Sequence, residues 1–171
     1  GLAIDIQNEV ALVSEWEHSR IYQVTPAGDI SLWMDQGTNE SFLHPGAMAI
    51  DNGNGWLYWV QHNGLWRTPL DSRFDDEHLY EFHDGSIMGG LALDLQDEVA
   101  YWAQDSFREI KRAKMDGSSE SPERFLQLPS SHYPYGIAIA HIPAPEPGAG
   151  LSALAILFGL GVLRTRRPIA A

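Results

Sequence analysis

The sequence predicts an all-β fold: a partial β-propeller of three four-stranded blades plus one extra strand, followed by a C-terminal transmembrane helix. Three observations predict it. A short landmark recurs four times, as GLAID ending at Asp5, AMAID ending at Asp51, GLALD ending at Asp94 and GIAIA ending at Ala140. The steps are 46, 43 and 46 residues, the spacing of propeller blades. Between landmarks lie short runs rich in Ile, Val, Tyr, Trp and Leu, punctuated by Gly, Asn and Asp, which is how consecutive antiparallel strands read. Near the end, an uncharged apolar run is followed at once by arginines.

The units run over about 1–44, 45–88 and 89–133, with a partial one at 134–142. In each, the landmark is the first strand, and a polar turn follows it: IQNEV, NGNGW or LQDEV. The second strand is ALVSEW, LYWVQH or AYWAQD. The third is RIYQV, GLWRTPL or REIKRAKM, ending near the turn pairs Ala27-Gly28, Asp71-Ser72 and Asp116-Gly117. The fourth is DISLWMD, HLYEFHD or ERFLQLP, and YPYGIAIAH reads as the innermost strand of a further blade. A twisted four-stranded sheet cannot cover both of its faces, so neighbouring blades must pack on each other. Trp56, Tyr58, Trp59, Trp66, Tyr101 and Trp102 are assigned to that packing in preference to a ligand-stacking platform. Three blades and one strand do not close a ring. The missing partners are expected upstream of Gly1, because the chain opens without an initiator Met or a signal segment; two copies completing a six-bladed ring is the alternative.

The 171 residues carry 44% hydrophobic and 20% charged side chains, enough to bury a core, and a net charge of −12. All 23 carboxylates precede Pro147, together with 8 of the 11 basic residues. An acidic body without a basic stripe repels phosphate backbones, which excludes nucleic acid as a partner. Cysteine is absent, so neither disulfides nor thiolate metal sites are available.

The landmarks resemble the YWTD repeats of the low-density-lipoprotein-receptor class (class B repeats), which form six-bladed propellers. The likeness rests on the approach strands Pro45 to Asp51 (PGAMAID), Gly90 to Asp94 and Pro134 to Ile139 (PYGIAI). Seven residues after each landmark Asp comes the YWTD slot, filled by Leu12 to Glu15 (LVSE), Tyr58 to Gln61 (YWVQ) and Tyr101 to Gln104 (YWAQ). Ile110 and the turn Met115 to Gly117 complete the third unit. The resemblance implies structural roles for Asp5, Asp51, Asp94, Tyr58, Trp59, Tyr101 and Trp102. In that family the final Asp of the motif joins blades through hydrogen bonds; here Glu15, Gln61 or Gln104 stands in its place. A propeller that binds or presents something is what the likeness implies, without naming a ligand.

Pro147 to Leu163 is an uncharged stretch of 17 residues, the lower limit for crossing a hydrocarbon core of about 30 Å. Arg164, Arg166 and Arg167 follow, and positive charge stays on the cytoplasmic side, placing the acidic body outside. Pro145-Glu146-Pro147, one apolar segment and a basic end together resemble the PEP-CTERM sorting signal of Gram-negative bacteria, over about residues 143–167. The resemblance implies a membrane-embedded exosortase as transient partner, cleavage near the tripeptide, and delivery to the cell surface or extracellular matrix.

No nucleophile elbow, phosphate loop or helical zinc spacing is present. The seven histidines, His18, His44, His62, His78, His83, His132 and His141, read as loop and strand-end residues. Neighbouring carboxylates such as Asp75-Asp76 read as turn formers. No catalytic residue, metal site or cofactor is assigned. The sequence therefore points to an exported, non-enzymatic binding or structural module with an unidentified protein or polysaccharide ligand. The alternative is a calcium-dependent, gluconolactonase-like propeller hydrolase, in which Asp5, Asp51 and Asp94 around the ring axis would hold Ca²⁺.

Overall fold

The computed structural model describes residues 1–35, 44–82, 88–142, 153–158 and 161–163. Blade 1 consists of β1 (Leu2–Asp5), β2 (Val10–Glu15), β3 (Arg20–Val24) and β4 (Ile30–Asp35). Blade 2 consists of β5 (Met48–Asp51), β6 (Trp56–Gln61), β7 (Gly64–Pro69) and β8 (Glu77–Glu81). Blade 3 consists of β9 (Met88–Asp94), β10 (Val99–Gln104), β11 (Glu109–Lys114) and β12 (Glu123–Gln127). Each is an antiparallel meander in chain order. The partial fourth sheet starts with β13 (Ile137–Ile142). The chain thus contains three four-stranded β-propeller blades, and no helix occurs among the described residues.

The local geometry repeats with the sequence. Between the first two strands of each blade the chain reverses through four residues, the last of them left-handed: Glu9 at φ 55°, Gly55 at φ 72° and Glu98 at φ 55°. Between the third and fourth strands each blade carries a register shift at the same place, Ile21/Tyr22, Leu65/Trp66 and Ile110/Lys111. A bulge there increases the twist of the outer strand, which lets successive sheets splay from a shared axis.

Because side chains alternate along a strand, each sheet presents two faces. Leu57 and Trp59 of β6 turn toward blade 1 and join Ala3, Leu12, Ile21, Met34 and Met48 in one core. Tyr58 and Val60 of the same strand turn the other way, joining Leu91, Ala100, Trp102 and Met115 from blade 3. Tyr101, Ala103 and Ile110 face the fourth sheet, where Ile137 and Ile139 pack on them. The two faces of each of these strands therefore serve two different seams. Trp59 and Trp102 are both fully buried; losing a side chain of that size from such a seam costs about 3–5 kcal/mol.

The innermost strands β1, β5, β9 and β13 lie side by side. They approach closely enough to require missing side chains. A Cβ on Gly90 would sit 2.7 Å from Ile137 N and 2.9 Å from Gly136 Cα, and one on Gly89 2.5 Å from Pro134 O. Between blades 1 and 2 the Ser14 hydroxyl donates to Gly46 O at 2.8 Å while Ser14 N donates to Gly1 O at 3.0 Å.

The apolar run near the C-terminus differs from its sequence expectation. Its described residues form β14 (Ala153–Phe158), antiparallel to β13, and β15 (Gly161–Leu163), antiparallel to β14, where a helix over 147–163 was expected. A continuous apolar run carries no period that separates helix from strand. With β13 presenting an unpaired edge, the run satisfies both sets of backbone groups as strands. Residues 147–152 and 159–160 of that segment lie outside the described residues. So do Pro145, Glu146, Pro147, Arg164, Arg166 and Arg167.

Gly90→Ala is expected to lower stability by about 1–3 kcal/mol, the usual cost of forcing a methyl into a closed contact. Urea unfolding would show it as a lower midpoint at unchanged slope. A midpoint equal to that of the unsubstituted chain would contradict the close approach of β9 and the segment leading into β13.

Candidate functional site

The polar residues that the repeat places at fixed positions are buried. Asp5, Asp51 and Asp94 end the first strand of their blades at 3%, 4% and 0% exposure, so each carboxylate must find its partners inside the protein. It finds them in its own turn. Asp5 Oδ1 accepts Gln7 N at 3.1 Å and Asn8 N at 3.0 Å, and Oδ2 accepts Asn8 Nδ2 at 2.7 Å. Asp51 repeats this with Gly53 N, Asn54 N and Asn54 Nδ2 at 3.0, 3.1 and 2.8 Å. Asp94 accepts Gln96 N and Asp97 N, both at 3.1 Å. An Asp in this position is an Asx-turn that closes the first hairpin of its blade. Among the described residues no three His, Asp or Glu side chains converge where a metal ion would sit.

The aromatic pairs stand in the seams. Tyr58 and Trp59 in β6, and Tyr101 and Trp102 in β10, are buried with alternate members facing opposite neighbours. Gln61 takes over the last place of the YWTD slot in blade 2: its Oε1 accepts Trp59 Nε1 at 3.0 Å and its Nε2 donates to Asn63 Oδ1 at 2.9 Å. Trp66 Nε1 donates to the same Asn63 oxygen at 3.3 Å. A neutral amide can both accept from an indole and donate onward, which a carboxylate cannot. In blade 1 the corresponding Glu15 is half exposed; a hydrogen bond from His18 first, then the charge of His18, the Tyr22 hydroxyl and Arg20, hold its carboxyl below the usual range.

The histidines are dispersed. His44 stacks on Trp16 with ring centroids 5.3 Å apart, and His78 stacks on Trp66 at 4.3 Å. His18, His62 and His132 are exposed, and His83 lies outside the described residues.

One concave feature gathers polar side chains, several of which also close the Asx-turns. At the turn end of the seam between blades 1 and 2 a groove of about 660 Å³ is lined by Gln7, Asn8, Gln23, Trp33, Asn54, Trp56 and Asp71, among others. That volume suits a small ligand. Four amide side chains share the lining with the carboxylates of Asp5 and Asp71, and two indoles form apolar wall. Hydrogen bonds between the two turns fix its floor: Ile6 N donates to Asn52 Oδ1 at 2.8 Å, Asn52 Nδ2 donates to Ile4 O at 3.2 Å, and Gln7 Nε2 donates to Asn52 O. Trp56 is held from behind by the Arg67 guanidinium 4.4 Å from its ring centroid. Arg67 is itself anchored to Glu77 Oε2 at 2.7 Å and to Met115 O of blade 3 at 3.0 Å. Burial draws the Arg67 guanidinium down, yet its hydrogen bonds with Tyr58 and Glu77 leave it above its ordinary value, a fixed positive charge. The groove was not foreseen from the sequence, because its residues come from two blades and five separate segments. The signal available was the amide-rich pair of first turns, IQNEV and NGNGW.

No known family model matches the chain. Solved β-propellers do match it. A nidogen/laminin complex matches with a TM-score of 0.67 and 16% identity, over 92% of this chain and 54% of that chain. A gluconolactonase from Xanthomonas campestris matches with 0.67 and 17%, over 95% and 56%. A catalytically inactive virginiamycin B lyase from Staphylococcus aureus, solved with quinupristin, matches with 0.63 and 14%, over 92% and 47%. The chain spans about half the length of these structures. Such likeness shows the propeller fold, shared by binding modules and enzymes alike.

Two outcomes are expected. Asp94→Ala strips Gln96 N and Asp97 N of their acceptor and costs about 1–3 kcal/mol in urea unfolding, whereas Asp94→Asn, which keeps an acceptor oxygen, costs less. Burial pushes the Tyr58 phenol above its ordinary value of 10.0, opposed by Arg67. The folded chain therefore keeps that proton to higher pH than the unfolded chain does. The contribution is complete below the ordinary value and is lost as pH rises through the raised one. Tyr58→Phe flattens this alkaline fall in melting temperature; an unchanged alkaline arm would contradict the assignment.

Proposed function

We propose that this chain is a non-enzymatic binding module of the cell envelope or extracellular matrix of a Gram-negative bacterium, with neutral polysaccharide as its ligand. The observation that carries the reading is the groove at the blade 1–blade 2 seam. Gln7, Gln23 and Asn54 offer paired donors and acceptors of no net charge, and Trp33 and Trp56 offer apolar wall. Hydroxyl-rich, uncharged sugars are matched by amides that donate and accept at once and by aromatic carbon surface. The acidic chain, at −12 overall, disfavours anionic ligands.

Delivery belongs to the same reading. Pro145-Glu146-Pro147, the uncharged stretch to Leu163 and the three arginines act as a PEP-CTERM sorting signal, handled at the inner membrane by an exosortase. The strands β14 and β15 are compatible with it, because hydrocarbon offers the backbone no partners and drives the same residues to bond within one helix. The body then stands outside the cytoplasm.

Titration calorimetry with neutral oligosaccharides tests the ligand. Gln23→Ala and Asn54→Ala are each expected to weaken binding about fivefold, the ~1 kcal/mol of one hydrogen bond. Absence of binding to any neutral glycan would end the polysaccharide reading, and calcium-dependent turnover of a lactone would replace it with the hydrolase. For delivery, Glu146→Ala combined with Arg166→Ala is expected to leave the protein unprocessed in membrane fractions. Normal processing of that variant would overturn the sorting assignment.

A further inference from the structure

The groove stands where blade 1 departs from the other two blades. On one face of each blade a cross-strand row joins the second, third and fourth strands. In blade 2 the row reads Tyr58, Arg67 and Glu77, and in blade 3 it reads Tyr101, Arg112 and Glu123. Both arginines are paired within their row: Arg67 Nε donates to Glu77 Oε2 at 2.7 Å, and Arg112 Nε donates to Glu123 Oε1 at 2.5 Å. Each also stands over an aromatic ring, Trp56 at 4.4 Å and Phe125 at 5.1 Å from the centroid. In blade 1 the same row reads Leu12, Gln23 and Ser31 and carries no charge.

What the arginine does is visible at the seam between blades 2 and 3. Its side chain is 16% exposed, and Nη1 donates to Met115 O of blade 3 at 3.0 Å. The residue of blade 2 that corresponds to Met115 is Leu70. Met115 N donates to Glu98 O at 2.9 Å and Leu70 N donates to Gly55 O at 2.8 Å, Glu98 and Gly55 being the left-handed last residues of equivalent turns. Gln23, Gly55 and Leu70 all line the groove. Where Arg67 ties its seam to the next blade, Gln23 makes no such bond, and a groove of about 660 Å³ lies there instead.

We infer that Gln23 opens the groove and sets its specificity, and that a hydroxyl of a neutral sugar takes the place of the missing guanidinium, held between the Gln23 amide and Leu70 O. The inference rests on the glycan reading above and adds where in the groove the ligand is read. A guanidinium only donates, whereas an amide donates and accepts, as a sugar hydroxyl does. Ser31 in place of the row's glutamate belongs to the same change, because a carboxylate facing Gln23 would have no cation to pair with. A row kept in two blades and neutralised as a unit in the third is the kind of local departure that marks a functional site.

Gln23→Arg combined with Ser31→Glu restores to blade 1 the charged pair of blades 2 and 3. Titration calorimetry with neutral β-glucan and galactan tetrasaccharides is expected to show binding by the unsubstituted chain and binding about tenfold or more weaker by the double variant. The melting temperature of that variant is expected to equal or exceed that of the unsubstituted chain, because the same pair is built into two other blades. Ser31→Glu alone, outside the groove lining, is expected to bind as the unsubstituted chain does. Undiminished binding by the double variant, a clear fall in its melting temperature, or loss of binding in Ser31→Glu alone would each overturn the inference while leaving the glycan reading in place. Absence of binding by the unsubstituted chain would end that reading and the inference with it.

Discussion

A twisted four-stranded sheet that is apolar on both sides has no stable existence alone, and every other feature of this chain answers to that constraint. Alternation along β6 sends Leu57 and Trp59 one way and Tyr58 and Val60 the other, so blade 2 belongs equally to two cores. Burial of a Trp, Tyr or Leu contributes about 1.5–3 kcal/mol or more per side chain, while hydrogen bonds within a sheet largely exchange protein for water partners. The seams, not the sheets, therefore decide whether the array is ordered, as expected for repeats that touch only their neighbours.

The polar residues of the repeat make that packing possible at the ends of the strands. An inner strand must stop and reverse within four residues, close to the axis, without leaving amides bare. Asp5, Asp51 and Asp94 solve this by accepting two backbone N–H groups each. Left-handed positions at Glu9, Gly55 and Glu98 complete the reversal. Glutamate there carries a conformational cost that glycine does not. Its persistence in two of three blades shows that hairpin closure tolerates some strain once the seams are made.

How much of this was legible in the sequence follows from what repeats. The landmark strands, their spacing and the two-faced aromatic pairs recur, and the strands found match the runs read from the sequence. The bulge between third and fourth strands recurs as well, yet no residue type marks it: Ile-Tyr, Leu-Trp and Ile-Lys share only their position. The C-terminal run was ambiguous because Leu, Ala, Ile, Gly and Phe without charge satisfy helix and strand patterns equally; the free edge of β13, on which it pairs as strands, exists only in three dimensions. The groove was hidden for a related reason. Gln23 and Trp33 belong to blade 1 and Asn54 and Trp56 to blade 2, and only the docking of the blades brings them together.

The seams are alike in plan and different in filling, and the difference bears on how such an array is specified. Between blades 1 and 2 the centre is a stack of Trp59, Trp66 and His78, with centroids 6.4 and 4.3 Å apart. Between blades 2 and 3 Trp102 packs against Tyr80 at 6.4 Å and Phe82 at 5.3 Å. At the third seam Tyr101 meets Phe125 edge-on at 5.2 Å within its own sheet. Identical faces would allow any blade to pack on any other and the order of the array to slip. Distinct aromatic sets make each face fit one neighbour. The hydrogen bonds that cross the seams, Ser14 to Gly46, Arg67 to Met115 and Tyr80 Oη to Lys114 O at 2.9 Å, reinforce this, because a wrong neighbour would leave those groups unpaired.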